Sequence, residues 1–187
     1  YKKYINIPII LFGHSLGGCL ALNYLIERKS KEINSAIISS AWIITKVKLP
    51  KYLLKFQHLL SLIFPKIRLN NRLNPNDLSK DKEIVKNYIN DPYVHDRISL
   101  NLFKEVNKGI KKIKKESHKL NLPILITHGK KDRIISHKGS ELLNKEITHS
   151  KLKLFENIFH EPHNDLEKIE VLNFYFDFIN SVKGNNF

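Results

Sequence analysis

The stretch Gly13-His14-Ser15-Leu16-Gly17 constrains this chain more than any other, because it fits the pattern G-x-S-x-G between two kinds of hydrophobic periodicity. The apolar, mostly β-branched run from Ile5 to Phe12 is typical of a buried strand. From Leu16 to Ile26, apolar residues recur near helical spacing. A serine on such a strand-to-helix turn holds its hydroxyl out of the sheet, so Ser15 is predicted to be a nucleophile. The alternative is a plain glycine-rich turn.

Beyond this junction, strand-like and helix-like stretches alternate as they do in a parallel α/β sheet. Residues 35–40 predict a second buried strand, and residues 123–129 predict a third that ends on Gly129. A helix over about 137–146, a short strand over 152–155 and a terminal helix over about 165–182 follow. The terminal helix is expected to be capped by Asn164 or Asp165. Ligands of open α/β sheets collect at the carboxyl ends of strands, so the residues after Gly129 matter.

A mostly helical, lysine-rich insertion is predicted between Thr45 and about Lys119, where strand signals stop. Within it, 49–64 places apolar side chains on one stripe flanked by lysines, which predicts an amphipathic basic helix. That helix either packs on its own domain or forms a lid that touches lipid or an acyl chain. Residues 74–99 are turn-rich, and a helix over about 100–120 returns the chain to the sheet. No repeat or linker divides the chain, so a single domain over 1–187 with the 45–119 insertion is predicted.

Composition narrows the possible partners and compartments. The formal net charge is +14, but the lysines are spread along the chain without aromatic residues interleaved among them, which argues against nucleic-acid binding. A solvated basic surface is favoured, with attraction to anionic lipid as the alternative. Cys19 is the single cysteine, so no disulfide can form within the chain. No apolar run reaches the roughly 18 residues of a membrane span. A cytoplasmic location is expected, with association at the membrane surface as the alternative.

A serine nucleophile needs a neighbouring base, and that base works best when a carboxylate orients it. Asp132 follows the third predicted strand, and His160 lies in the loop after the next one. The order Ser15, Asp132, His160 is the order found in α/β-hydrolases. The other aspartates that we weighed follow no predicted strand: Asp77, Asp81, Asp91, Asp96, Asp165 and Asp177.

Several histidines compete with His160 for the role of base. His163 lies three residues further on, and we expect it to be a structural neighbour or a surface group. His14 and His128 are expected to serve packing and local hydrogen bonding. The run His160-Glu161-Pro162-His163 does not fit H-E-x-x-H, and its proline disfavours a helix there. No metal ion or other cofactor is therefore predicted.

Three stretches together resemble the monoacylglycerol lipase and lysophospholipase family, also called serine-aminopeptidase-like hydrolases. They are Gly13 to Gly18, Thr127 to Asp132 and Phe159 to Asp165, and residues 90–99 resemble the segment at the end of the family's lid. The resemblance implies an α/β-hydrolase fold and cleavage of the ester of a single-chain lipid, a monoacylglycerol or a lysophospholipid. It implies an acyl-enzyme at Ser15, with His160 as acid and base and Asp132 as its orienter. It also implies that 45–119 contains the cap over the acyl tunnel.

The chain departs from that family at its beginning. A family member has several strands before the elbow, and a His-Gly loop whose backbone N–H completes the oxyanion hole, whereas Ser15 lies close to the first residue. We therefore expect the C-terminal part of a mostly parallel sheet with its N-terminal strands missing, and a missing N-terminal half as a partner. The backbone N–H of Leu16 is predicted as one oxyanion donor, and losing the other costs on the order of 100- to 1,000-fold in rate.

Two other hypotheses stay open at this point. The chain is a non-catalytic remnant or a basic membrane-surface module that keeps the fold, or it is a hydrolase of a different acyl substrate such as a peptide, a thioester or a small ester.

Overall fold

A computed structural model describes residues 7–28, 32–47, 59, 63–64 and 66–183. In chain order its helices and strands are β1 (Ile9–His14), α1 (Leu16–Arg28), β2 (Ile33–Ser39), β3 (Arg68–Asn70), α2 (Lys82–Asn90), β4 (Arg97–Ser99), α3 (Leu100–Glu116), β5 (Ile124–Gly129), α4 (Lys138–Glu146), β6 (Ser150–Phe155) and α5 (Lys168–Lys183).

The central sheet has four parallel strands in the order β1-β2-β5-β6. Its middle strands are buried on both faces, which is why they appear in the sequence as continuous apolar runs. The predicted strands at 35–40, 123–129 and 152–155 correspond to β2, β5 and β6, with bounds that differ by up to two residues. The α/β architecture predicted from the alternating pattern is therefore confirmed.

Helices cover the sheet on both faces, and alternate residues of each strand divide between two cores. Ile38 and Ile126 point to the face where Leu22 of α1 and Ile113 of α3 are buried. Their neighbours Ile37 and Leu125 point to the other face, where Val171 and Tyr175 of α5 are buried. The period of two along a strand produces this division. The sheet therefore has a hydrophobic layer on each side, and its strand ends remain available for functional groups.

The long helix α3 joins the insertion to the body of the fold. Its N-terminus is capped by Ser99, whose Oγ accepts the backbone N–H of Leu102 at 3.1 Å. Val106, Ile110 and Ile113 lie on one face of α3 and are buried against the core that α1 shares. The helix predicted over 100–120 is thus present and ends at Glu116.

The insertion contains two features that sequence patterning did not predict. Strands β3 and β4 form a two-stranded antiparallel ribbon, and each has only three residues, too few to show a period of two. Helix α2 occupies part of the stretch predicted as turns; it is capped by Asp81, whose Oδ1 accepts the N–H of Glu83 at 3.0 Å. Only Val85 of α2 is buried, and the nine-residue helix lies between Pro75 and Pro92, which favoured turns in the sequence analysis. Most of the predicted amphipathic helix at 49–64 lies outside the described residues.

Apolar side chains remain exposed along β1 and α5. Strand β1 is at the end of the sheet, and its outer edge pairs with no strand in the described part of the chain. Phe12 on β1 is exposed, and so are Ile169 and Phe176 on α5. No helix within the described ranges is long and apolar enough to cross a membrane.

Replacing Leu22 with Ala is expected to lower the free energy of unfolding by about 2–5 kcal/mol, because Leu22 is 0% exposed and its loss leaves a cavity in the core. The control is Leu20→Ala on the same helix: Leu20 is 58% exposed, so the change should stay within about 0.5 kcal/mol. Urea denaturation followed by circular dichroism measures both. Equal losses in the two variants would contradict the assignment of the buried face of α1.

Candidate active site

Ser15 sits on a strained turn between β1 and α1. Its φ is 52°, in the left-handed region that non-glycine residues rarely adopt. The turn is held by backbone hydrogen bonds: the N–H of Ser15 donates to Ser39 O at 3.0 Å, and its carbonyl accepts from Trp42 N at 3.0 Å. The strand-to-helix turn inferred from G-x-S-x-G is therefore present, with the hydroxyl of Ser15 beyond the end of β1.

The glycines of the motif have different roles. A Cβ on Gly13 would lie 2.7 Å from Gly17 O and 2.9 Å from the Cβ of Ala21, so this position requires glycine. The second glycine of the pattern, Gly17, is not packed in this way, because a Cβ there would meet no described atom within 4 Å. Gly18 takes that role instead, because its Cβ would lie 2.9 Å from the Cβ of Ala41.

Asp132 lies in the turn after β5 and is fully buried. Its Oδ1 accepts the backbone N–H groups of Ile134 and Ile135 at 2.7 and 2.9 Å. Its Oδ2 is 2.7 Å from His160 Nδ1 and 3.0 Å from His128 Nε2. Burial alone would raise the pKa of this carboxyl, but the hydrogen bonds from His128 and His160 outweigh it and hold the pKa well below its usual value.

His160 lies in the loop after β6 and connects Asp132 to Ser15. It is 3% exposed, and its Nε2 is 2.9 Å from Ser15 Oγ. Because Nδ1 faces the carboxylate, it carries a hydrogen, which leaves Nε2 to accept the hydroxyl hydrogen of Ser15. The structure thus brings together all three side chains that the sequence analysis singled out, from positions 15, 132 and 160.

The loop that carries His160 is anchored by two residues whose roles the sequence analysis did not identify. A Cβ on Gly129 would overlap the carbonyl oxygens of Ile158 and Phe159, so glycine lets the loop pass directly over the end of β5. Asp165 is buried, and its Oδ2 accepts the backbone N–H of Phe159 at 2.7 Å. Its Oδ1 accepts the N–H of Lys80 at 3.0 Å, which ties the loop to the insertion.

The prediction for the start of the terminal helix also changes. Asn164 or Asp165 was expected as its cap, but α5 begins at Lys168, and the contact that Asp165 makes to it is through its backbone carbonyl, which accepts Lys168 N at 3.0 Å. The Asp165 side chain is engaged with the His160 loop instead. The carboxylate also accepts Leu166 N at 2.8 Å, but local sequence spacing carries no signal for its contact to the insertion, because that partner is at position 80.

His14 and His163 pack beside His160. The ring of His14 is 4.9 Å from the rings of both His160 and His163, measured between centroids. Burial, reinforced by the neighbouring imidazoles, lowers the pKa of His14 to about 2, and burial also lowers the pKa of His163. Neither Nδ1 has a hydrogen-bond partner among the described residues. Within those residues, no three His, Cys, Asp or Glu side chains are grouped to hold a metal ion.

His128 does more than the packing and local hydrogen bonding expected of it. It is fully buried at the end of β5, with Nδ1 2.8 Å from Ser140 Oγ on α4. Its Nε2 faces two acceptors, Asp132 Oδ2 at 3.0 Å and Ile135 O at 3.4 Å, so Nε2 carries a hydrogen. The Asp132 carboxylate therefore receives donors from two imidazoles, and His128 fixes it from the side opposite the backbone donors.

A cavity of about 440 Å³ opens beside Ser15 and His160. Its other walls come from the segment after β2, the β3–β4 ribbon, α3 and the turn after β5, and they include the apolar side chains of Trp42, Leu69, Ile98, Leu102, Phe103 and Ile134. Leu16 also lines it; as the first residue of α1, its N–H has no preceding helical carbonyl to bond.

Comparison with known proteins places this arrangement in a family. A family model described as serine aminopeptidase, S33, matches residues 1–167. The chain belongs to this family. An uncharacterized abhydrolase domain-containing protein of Dictyostelium discoideum is 30% identical over 177 residues, which are 93% of this chain and 19% of that protein. Human monoglyceride lipase is 28% identical over 184 residues, 96% of this chain and 59% of the lipase. The chain therefore spans well under two thirds of these relatives.

Solved structures give the same fold. The monoacylglycerol lipase of Paleococcus ferrophilus superposes with a TM-score of 0.88 at 31% identity, over 96% of this chain and 71% of that one. A soluble variant of monoglyceride lipase from Saccharomyces cerevisiae, in complex with a substrate analog, gives a TM-score of 0.82 at 25% identity, over 96% and 64% of the two chains. The fold is that of a monoacylglycerol-lipase-like α/β-hydrolase, of which this chain represents part.

Gly129→Ala is expected to reduce labelling of Ser15 by a fluorophosphonate on the order of 100-fold, because the added Cβ pushes the His160 loop away from β5. Gel fluorescence of the labelled protein measures the rate. Lys131→Ala is the control: its side chain is exposed in the same turn, and its backbone N–H still donates to Ile158 O at 3.1 Å. Unchanged labelling of Gly129→Ala would show that the close approach does not position His160.

His128→Leu is expected to raise the pKa of Asp132 towards its usual value of about 3.9, because a buried carboxylate loses one donor. His128→Gln, whose amide can donate from a similar place, should keep the pKa low. Nuclear magnetic resonance of protein with carboxyl-labelled aspartate measures both. An unchanged titration in His128→Leu would contradict the role of His128.

The stability of the same variant should depend less on pH. A carboxylate with a depressed folded-state pKa stabilises the native state above its unfolded pKa of about 3.9, and this contribution is lost as the pH falls from about 5 through the folded-state pKa. Because Asp132 is such a group, His128→Leu should lose less free energy of unfolding than the wild type when the pH falls below about 5. Urea denaturation at a series of pH values measures this.

Proposed function

We propose that this chain carries the catalytic centre of a serine hydrolase that cleaves lipid esters, with Ser15 as nucleophile, His160 as general base and acid, and Asp132 as the group that orients His160. One observation carries the proposal: a continuous chain of hydrogen bonds joins the three residues, 2.9 Å from Ser15 Oγ to His160 Nε2 and 2.7 Å from His160 Nδ1 to Asp132 Oδ2. Nucleophile, base and orienting acid joined in this order form a triad that performs acyl transfer.

The reaction follows from these contacts. Ser15 Oγ attacks the ester carbonyl carbon while its proton passes to His160 Nε2, which gives a tetrahedral intermediate. The protonated imidazole then gives that proton to the leaving alcohol, and an acyl-enzyme remains on Ser15. Water repeats the sequence with His160 as base, releasing the fatty acid and restoring the serine hydroxyl.

The charges of the site suit these steps. Because its pKa is well below the usual value, Asp132 is ionised when His160 takes the proton, and it stabilises the imidazolium. The Leu16 N–H lies at the N-terminus of α1, where the helix dipole favours negative charge, and is proposed as an oxyanion donor.

The substrate is proposed to be an ester with a single acyl chain, a monoacylglycerol or a lysophospholipid. The cavity beside Ser15 has a volume within the range of small-molecule sites and apolar walls that suit a hydrocarbon chain. Relatives named monoglyceride lipase and monoacylglycerol lipase support the same class. Because the β3–β4 ribbon and α3 line this cavity, we propose that residues 45–119 form the cap of the site.

A second oxyanion donor is not identified among the described residues, and we propose that full activity requires one from outside them. The chain spans 56% of rat monoglyceride lipase and 59% of the human enzyme, so a large part of these relatives has no counterpart in the aligned residues. In the described part of the chain the outer edge of β1 pairs with no strand and Phe12 of β1 is exposed, so this edge offers a surface on which further strands would add.

A polypeptide of these 187 residues is expected to hydrolyse p-nitrophenyl butyrate roughly 100- to 1,000-fold more slowly than a complete hydrolase with two oxyanion donors. Ser15→Ala should remove the activity, and Asp132→Asn should lower kcat on the order of 10,000-fold because His160 loses its orienting carboxylate.

Two results would contradict different parts of the proposal. Turnover as fast as that of a complete hydrolase, abolished by Ser15→Ala, would show that a second donor is not needed. A wild-type chain that a fluorophosphonate does not label, although folded by circular dichroism, would favour a non-catalytic module.

A further inference from the structure

The cavity beside Ser15 has a charged rim that hydrolysis of a neutral ester does not use. Two arginines, Arg72 and Arg97, line it together with His95, whereas none of the described residues that line it is an aspartate or a glutamate. All three side chains are exposed and come from the loops and strands of the β3–β4 ribbon. One end of the cavity is therefore cationic, while its walls are apolar.

The ribbon fixes the backbone from which the two arginines project. Asn70 and Arg97 are paired across β3 and β4, and Asn71 N donates to Asp96 O at 2.7 Å where the pairing ends. Asn70 Oδ1 accepts the backbone N–H of Arg72 at 2.7 Å, and Arg72 has a φ of 57°, in the left-handed region. A residue without glycine's freedom is thus kept in a strained conformation at the rim of the cavity.

Asp96 orients Arg97 without covering it. Arg97 Nε lies 3.2 Å from Asp96 Oδ1, and no other carboxylate among the described residues forms an ion pair with this guanidinium. A guanidinium has five N–H donors, and four of them are on the two terminal nitrogens rather than on the Nε that lies near Asp96. The Arg97 side chain is 54% exposed, and an ion pair so exposed is weak, so Asp96 reduces but does not cancel the positive charge of the rim.

We propose that this cavity takes a single-chain lipid ester whose head group carries a phosphate, with Arg97 and Arg72 binding the phosphate while the acyl chain lies among the apolar walls. The planar fork of arginine matches two charged phosphate oxygens, whereas a neutral glycerol head group offers only uncharged hydroxyl acceptors, which bind a guanidinium less strongly. This inference rests on the proposed lipid-ester hydrolysis and selects within it: an anionic lysophospholipid is preferred over a monoacylglycerol.

The test uses binding rather than turnover. Trp42 is the only tryptophan of the chain and lines the cavity, so its fluorescence reports occupancy. The probes are decyl glycerol ether and decyl glycerol ether phosphate, which an ester hydrolase cannot cleave, used below the concentrations at which they form micelles. The phosphate probe is expected to bind about 5- to 10-fold more tightly, the gain that one or two charge-assisted hydrogen bonds at an exposed site give.

Arg97→Gln should lower the affinity for the phosphate probe towards that for the neutral probe, with Arg72 keeping part of the difference, and should leave binding of the neutral probe unchanged. Lys151→Gln is the matched control: it also removes one positive charge, from an exposed position on β6 that does not line the cavity. The ratio of the affinities for the phosphate probe and the neutral probe should be the same in this control as in the wild type. Glycerol phosphate, which has no chain, should not change Trp42 fluorescence at the same concentrations.

Three outcomes would overturn the inference. They are equal affinities of the wild type for the two probes, an equal loss of phosphate-probe binding in Arg97→Gln and Lys151→Gln, or binding of glycerol phosphate as tight as that of the decyl phosphate. Failure of the proposed reaction is a separate result, because it appears as absent labelling of Ser15 and leaves the fluorescence titrations readable.

Discussion

The site depends on one buried carboxylate, that of Asp132. A charge in this position is stable only because four donors surround it: two backbone N–H groups on Oδ1 and two imidazoles on Oδ2. The same four contacts fix its orientation, so His160 is held with Nε2 directed at Ser15. The same contacts at the end of β5 therefore both stabilise the charge of Asp132 and orient His160.

Close backbone packing places the three residues within reach of one another. Ser15 depends on the small residues Gly13 and Gly18, which let α1 start tightly against β1 and against Ala41. His160 depends on Gly129, over which its loop passes, and on Asp165, which holds that loop and the insertion together. The strand ends contribute rigid positions, and the glycines allow the loops to approach them.

Part of the insertion forms walls of the site. Its β3–β4 ribbon and α3 close a cavity over the ends of the strands, and α3 is fixed because one of its faces is part of the main core. The apolar walls suit an acyl chain, and the arginines of the ribbon place positive charge at the rim of the same cavity. A binding surface that is apolar along its walls and cationic at its rim is suited to an amphiphile with an anionic head group.

The sequence by itself determined the α/β pattern, the turn at Ser15 and the choice of Asp132 and His160, because each depends on local features: an apolar run, a glycine-flanked serine, and a polar residue just after a strand. Only the tertiary structure decided which glycines pack closely, that His128 and Asp165 support the site, and that a short ribbon places Arg72 and Arg97 beside the cavity. Contacts between residues that are distant in the sequence have no sequence pattern that would reveal them. Strands of three residues are too short to show a hydrophobic period. Local patterning therefore predicts the candidate site residues, and tertiary packing decides which other residues position them.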